Sequence, residues 1–168
     1  ISRRQRQMCI RDRNSSMAKP GYFAQGIYEV KNTGKFVGKT LPKYRSSWEL
    51  AFMRMCDQHP NILQWASEAI KIPYINPVSR RKVNYVPDFL IIYKTKSGKP
   101  RAEIVEIKPK AQTSLKEATS ERERIQAIVN KAKWQAAYDF CRSKGMGFRV
   151  LTQDLSLIHI SEPTRRTI

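Results

Sequence analysis

Acidic residues are scarce in this chain. Its 168 residues hold 14 Asp and Glu against 32 Lys and Arg, a formal charge of +18. So positive a small domain suggests a polyanionic partner, most often nucleic acid, a balance that ribosomal and architectural proteins share. Long apolar runs are absent too. No stretch approaches the roughly 18 apolar residues a membrane-spanning helix needs, and no signal peptide precedes Met17. Cysteine is limited to Cys9, Cys56 and Cys141, without metal-binding spacing; the last two lie among apolar neighbours on helical patterns and read as buried, reduced thiols of a cytosolic protein. Histidine is limited to His59 and His159, which leaves a histidine general base little support. No internal repeat occurs.

The two ends read differently from the middle. Residues 3–13, RRQRQMCIRDR, and 155–165, LSLIHISEPTR, resemble conceptual translations of adapters used in transposase-based sequencing libraries, each in one frame over its full length. Residues 1–16 and 155–168 are therefore expected to be non-native and are set aside, as fusion scars are. The native reading runs from about Met17 to about Asp154, and the true C-terminus is expected beyond that point. Five arginines and one aspartate in residues 1–13, and two arginines with one glutamate in residues 155–168, account for +5, leaving +13 on the middle.

Against that basic background, acids inside apolar strands need a reason. Residues 83–110, VNYVPDFLIIYKTKSGKPRAEIVEIKPK, read as one hairpin: a β-branched and aromatic arm over 83–94, a turn at Ser97-Gly98, and an alternating arm over 102–108. Asp88 follows Pro87, and Glu106 lies between Val105 and Ile107. A five-residue loop over 95–99, centred on Ser97, puts Asp88 directly across from Glu106, with Cβ atoms about 5 Å apart. Two carboxylates at about 4 Å and an effective dielectric near 20 repel by about 4 kcal/mol, which asks for a shared proton, a cation or a metal. Lys108 shares the face of Glu106 but is a poor remedy alone. An oxygen-rich pair with room for water suits Mg²⁺.

Around this hairpin the elements alternate. Residues 17–43 form an extended basic arm punctuated by glycines, which could lie on DNA, on a protein partner or over the domain's own core. A helix over 44–58 carries Trp48, Ala51, Phe52 and Met55 as its apolar stripe, with Ser46 and Glu49 spaced as a capping box. Short strands follow at 62–65 and 68–74, and Trp65 reads as core. The segment Ser79, Arg80, Arg81, Lys82 is a basic loop that would sit near the acids. Ser120 and Glu123 cap a long helix to about Lys144, with Ile125, Val129, Ala132, Ala136 and Phe140 inward. Beside them run Lys131, Gln135, Tyr138 and Arg142, either a solvent face or one that meets a phosphate backbone. A last strand spans 148–152. Helix, strands, hairpin, long helix and strand make one α/β domain over 44–154 with a mixed sheet.

Pro87-Asp88 followed about twenty residues later by Glu106-Ile107-Lys108 resembles the PD-(D/E)XK nuclease pattern. The helical Glu in Tyr44-Arg45-Ser46-Ser47-Trp48-Glu49 upstream, and the helix containing Lys131-Ala132-Lys133-Trp134 downstream, follow that family's order. From Tyr44 to Val150, including YRSSWE, IPYINP, PDF and EIKP, the chain is similar to the head-completion nucleases of large tailed phages and, more widely, to transposon-end endonucleases of the TnsA type. The resemblance implies a restriction-endonuclease-like α/β domain, with a mixed central sheet flanked by helices. It implies a Mg²⁺-dependent deoxyribonuclease, an endonuclease with possible exonuclease action, for which Mn²⁺ would also serve. Asp88, Glu106 and Glu49 would be its metal ligands, and Lys108 would orient or polarise water. Arg45, Arg80, Arg81, Lys82, Lys110, Lys131 and Gln135 would contact double-stranded DNA. The implied setting is phage head completion and head-tail joining after packaging, in the host-cell cytoplasm or the virion, with head, portal or tail-connector proteins as partners. Two alternatives remain open: an inert DNA-binding connector protein, and a transposition endonuclease subunit.

Overall fold

A computed structural model describes residues 25–152; the adapter-like ends and the first part of the basic arm lie outside the described residues. Eight strands and two α-helices follow in order among those residues: β1 (Gly26–Ile27), β2 (Lys43–Tyr44), α1 (Ser47–Gln58), β3 (Ile62–Ser67), β4 (Ile72–Ile75), β5 (Lys82–Tyr85), β6 (Phe89–Lys94), β7 (Pro100–Ile107), α2 (Glu121–Ser143) and β8 (Gly147–Leu151). The central sheet has the order β3-β6-β7-β8; its first three strands are antiparallel and β8 runs parallel to β7. A parallel neighbour needs a crossover, and α2 supplies it. The sheet is mixed and flanked by helices, as expected.

Side-chain alternation divides the core into two layers. Phe89, Ile91, Tyr93, Val105 and Ile107 pack with Phe52, Met53 and Cys56 of α1 and with Trp65. Leu90 and Ile104 face the other way, toward Ala137 and Cys141 of α2. Even-numbered positions of β6 and β7 therefore look toward α2.

The β6–β7 turn fixes that register. Thr95 N–H donates to Lys99 O at 2.9 Å, Gly98 N–H donates to Thr95 O at 2.9 Å, and Gly98 adopts φ 81°, a conformation open to glycine at no steric cost. The pairs run from Lys94↔Pro100 to Phe89↔Val105, the register that a loop centred on Ser97 dictates.

Several expectations need correction. Residues 83–94 are not one arm. Pro87 has no N–H to offer a ladder, so the chain leaves the sheet at residues 86–88, and β5 pairs with β4 in a separate two-stranded sheet. The expected strand at 68–74 begins only at Ile72, because Glu68 has φ 49°, a left-handed conformation that ends β3. The first helix starts at Ser47; Tyr44 belongs to β2.

Both helices bury a line offset from their expected stripes, most of whose members pack at its edge: Trp48 and Met55 against one core layer, and Val129, Ala132, Ala136 and Phe140 against the other. In α1 the buried positions are Phe52, Met53, Cys56 and Asp57, so the inward line is 49, 52, 53, 56 rather than 48, 51, 52, 55. Glu49 thus lies in line with the buried stripe. In α2 the buried residues are Ala127, Asn130, Ala137 and Cys141, while Ile125 is 45% exposed. Small side chains let this helix approach the sheet closely, and closeness outweighed the larger area that Ile125 would have buried. The α2 capping box is present: Ser120 Oγ accepts from Glu123 N–H, and the Glu123 carboxylate accepts from Ser120 N–H.

The described part of the arm packs on the domain's own core. Asp57, fully buried, accepts from the Tyr28 hydroxyl at 2.8 Å, Lys31 N–H at 2.7 Å and Asn32 N–H at 2.9 Å. Phe36 meets the Trp65 ring edge-on at 4.8 Å, and Val37 N–H donates to Trp65 O at 3.0 Å. Cys56 and Cys141 are free and buried. None of the helices among the described residues is long and apolar enough to cross a membrane.

Candidate active site

Where β6 begins and β7 ends, the sheet's main-chain ladder stops and two carboxylates take over its donors. The Asp88 N–H donates to Glu106 Oε2 at 3.2 Å, and the Ile107 N–H donates to Asp88 Oδ2 at 2.7 Å. Each acid therefore caps the other's strand end. Asp88, Glu106 and Lys108 all fall on the even-numbered face, toward α2. Glu106 is 2% exposed, yet both its oxygens are partnered: Oε1 lies 3.0 Å from Lys108 Nζ, and Oε2 also accepts from the Tyr85 hydroxyl at 2.8 Å.

The electrostatics follow from burial of like charges. Burial, then repulsion from Glu106, raises the Asp88 carboxyl to about 7, against the opposing pull of the Ile107 N–H and Lys108. Burial opposes the charge on Lys108, but Glu106, Asp88 and the hydrogen bond to Glu106 outweigh it and raise its pKa. Lys108 therefore remains an ammonium and has no free lone pair with which to act as a base. Tyr85 is pushed well above the usual phenol range by burial and then by Glu106, which keeps it a hydroxyl donor.

Glu49 stands differently. It reaches the same end of the sheet from α1, and its charge acts on both Asp88 and Lys108. Its carboxylate, however, closes the helix N-terminus: Oε2 accepts from Arg45 N–H at 2.8 Å, and Oε1 lies 3.2 Å from Ser46 Oγ. The cap was expected to reach Ser46 N–H; it takes the donor one residue earlier. Among the described residues no three His, Cys, Asp or Glu side chains converge as a ready metal cluster. The pair that could hold an ion is Asp88 and Glu106. Their donor set fits one: two hard, closely placed carboxylates suit a divalent cation with oxygen preference.

The expected DNA-contacting residues lie on several separate elements, and the basic loop expected near the acids occupies the end of the β4–β5 hairpin opposite Tyr85. Arg45 is exposed and pairs with Glu68 at 2.6 Å. Arg80 and Arg81 lie at the tip of the β4–β5 hairpin, Lys82 opens β5, and Arg80 has φ 56°. Lys110 opens a one-turn helix, Lys110–Gln112. Lys131 and Gln135 are on the exposed face of α2, with Gln135 donating to Asp139 at 3.1 Å.

Two residues near the acids carry no assigned role in the sequence reading, although Lys133 lies in the helix segment that supports the resemblance. Tyr85 looked like an ordinary strand aromatic; its signal was only that it precedes Pro87-Asp88 by a short step. Lys133, on α2, places Nζ 5.6 Å from the centre of the Tyr85 ring. Its inward orientation is not legible from the expected stripe of α2, which lies to one side of it.

An α/β domain with paired acids and a lysine at one end of a mixed sheet defines an endonuclease-like protein. Residues 59–153 match the family described as TnsA-like endonuclease N terminal, and the chain belongs to that family. The match takes in Asp88, Glu106, Lys108 and Lys133 and begins after Glu49. The chain is also 36% identical over 142 residues to the head completion nuclease of Enterobacteria phage T4, an alignment that covers 77% of this chain and 91% of that protein. The protein is accordingly a nuclease of the endonuclease type.

Proposed function

We propose that this protein is a Mg²⁺-dependent deoxyribonuclease that acts on double-stranded DNA in phage head completion, with Asp88 and Glu106 as its metal ligands. The observation that carries the reading is the reciprocal pair itself. Two carboxylates are held together at a strand end, and burial, then their mutual repulsion, raises Asp88 to about 7. Structural acids are seldom arranged so; a site that must receive a cation is.

When bound, a divalent ion would supply Lewis acidity and lower the pKa of a coordinated water. The chain's own residues do the rest. Asp88 and Glu106 would hold the ion, for which Asp88 must be in its carboxylate form. Tyr85 fixes the rotamer of Glu106 through Oε2. Lys108, a permanent ammonium, orients the attacking water and offsets charge developing on the phosphate. Glu49 completes the site from α1, at the cost of part of its helix cap. Mn²⁺ would serve as well, since the donors are all oxygen.

Arg45, Arg80, Arg81, Lys82, Lys110, Lys131 and Gln135 would hold the DNA backbone, consistent with the +13 carried by residues 14–154. The partners would be the assembled head, its portal or a tail connector, encountered in the host cytoplasm or retained in the virion.

The experiment is plasmid nicking. Purified protein should convert supercoiled plasmid to nicked and linear forms with Mg²⁺ or Mn²⁺, EDTA should stop it, and Glu106→Ala should abolish cleavage while remaining folded. Equal cleavage by wild type and Glu106→Ala would exclude this site.

A further inference from the structure

Lys133 is a cation that the fold has no structural reason to keep. Its side chain is half-buried, and among the described residues no carboxylate pairs with it; its contact is the face of Tyr85, 5.6 Å away. A partly desolvated ammonium resting on an aromatic ring recovers only about 0.5–2 kcal/mol. Methionine at this position would fill the same space without a charge to desolvate. Burial and then the charge of Lys108 depress its pKa, while Glu106 and Asp88 pull the other way, so it lies in the field of all three groups. Tyr85 ties it to them geometrically, since the hydroxyl of the ring that Lys133 rests on donates to Glu106 at 2.8 Å. Asn130 and Ala137 are buried on the same side, one turn before and one turn after, and Asn130 is anchored by donating to Gln112 O at 3.0 Å.

We propose that Lys133 is a second catalytic lysine, whose ammonium takes a non-bridging oxygen of the scissile phosphate. The inference rests on the nuclease reading above and adds to it a residue from a different element. Lys108 reaches the acids along β7, whereas Lys133 arrives from α2 across the ring of Tyr85, so the two cations approach from separate elements. Charge balance favours the assignment. The three carboxylates of Glu49, Asp88 and Glu106 against Lys108 and a divalent ion sum to zero. Lys133 makes the loaded site positive, as a phosphate gaining negative charge in its transition state requires. Tyr85 then has two duties, holding Glu106 through its hydroxyl and seating Lys133 on its ring.

The test uses the full chain. Single-turnover nicking of supercoiled plasmid is measured at saturating protein with Mg²⁺, beside affinity for a labelled duplex without divalent ions. Lys133→Met, which preserves the aliphatic stem, is expected to slow cleavage by about 10²–10³-fold, the usual cost of one transition-state donor, with duplex affinity changed by less than about threefold. Lys133→Cys is expected to be equally slow. Aminoethylation with bromoethylamine, which restores an ammonium at nearly the original length, should recover at least a tenth of the wild-type rate. Cys56 and Cys141 are 0% and 1% exposed and should resist the reagent, and wild type treated in parallel controls for other sites. Cleavage by Lys133→Met within about threefold of wild type, or no recovery after aminoethylation of folded Lys133→Cys, would overturn the assignment and leave the nuclease reading intact. Wild-type protein that cuts no DNA with either metal would overturn both.

Discussion

Replacing Asp88 with Asn should stabilise the metal-free protein at neutral pH, although it removes a buried hydrogen-bonding side chain at the site. Asp88 is raised from 3.8 to about 7. A carboxyl that binds its proton more tightly in the folded state favours folding at low pH, and that advantage is lost as pH rises from the unfolded value through the folded one. The window is therefore from about pH 4 to about pH 7. A shift of about three units corresponds to at most about 4 kcal/mol. Coulomb repulsion between two carboxylates about 4 Å apart at an effective dielectric near 20 gives the same order. Asparagine keeps an oxygen for the Ile107 N–H and introduces no charge opposite Glu106. In EDTA, the wild-type urea midpoint should fall between pH 4.5 and 8, and that of Asp88→Asn should fall less. At pH 8 the variant should lead by about 1 M, taking half the maximal energy and a slope of about 2 kcal/mol per M. Mg²⁺ should raise the wild-type midpoint and leave the variant nearly unchanged. Parallel pH profiles, or a variant less stable at pH 8, would refute the claim that burial and repulsion from Glu106 raise the Asp88 carboxyl in the folded protein.

Other consequences can be read from single residues. Asp57→Ala leaves the Tyr28 hydroxyl and two backbone N–H groups without an acceptor and should lower stability by roughly 3–5 kcal/mol, with early proteolysis within residues 25–37. Burial alone would raise Asp57, but its hydrogen bonds, led by those from Lys31 and Asn32, hold it below the usual range. Its contribution is thus present above about pH 4 and lost as pH falls through the depressed value. Arg149→Ala strands Glu103, 2% exposed and paired with Arg149 Nε at 2.5 Å; denaturation should show a loss of about 3 kcal/mol, with the cleavage rate per folded molecule unchanged. Tyr85→Phe should slow plasmid nicking about tenfold and weaken Mg²⁺ binding measured by calorimetry, since ligand-orienting partners typically account for 10–100-fold.

The sequence revealed different parts of this molecule for different physical reasons. The pairing of Asp88 with Glu106 was legible because a hairpin's register follows from its loop length, and residues 95–99 left little choice. The mixed sheet was legible because a strand after a long helix returns parallel. Pro87 was visible, but its effect was underestimated: a residue with no N–H broke an apparently continuous arm into β5 and β6 and sent them to separate sheets. The phase of α2 was misread because apolar size was weighed above closeness. Ala127, Ala137 and Cys141 bury little area each, yet they set how near the helix lies. Asp57 could not be found by pattern. Its donors come from Tyr28, Lys31 and Asn32, some 25 residues earlier, and nothing local marks it as buried. The Glu49 cap was legible from Ser46-x-x-Glu49, and that local hydrogen bond occupies the carboxylate the site would need.

The central claim is that Asp88 and Glu106 together hold a divalent ion. Anomalous diffraction from crystals soaked in Mn²⁺ tests it most directly. One strong peak is expected within coordination distance, about 2.1 Å, of an oxygen of each carboxylate, with the Glu49 carboxylate drawn toward it, and no peak at that position in Glu106→Ala crystals. No density between Asp88 and Glu106 in wild-type crystals, or a peak that persists in Glu106→Ala, would contradict it.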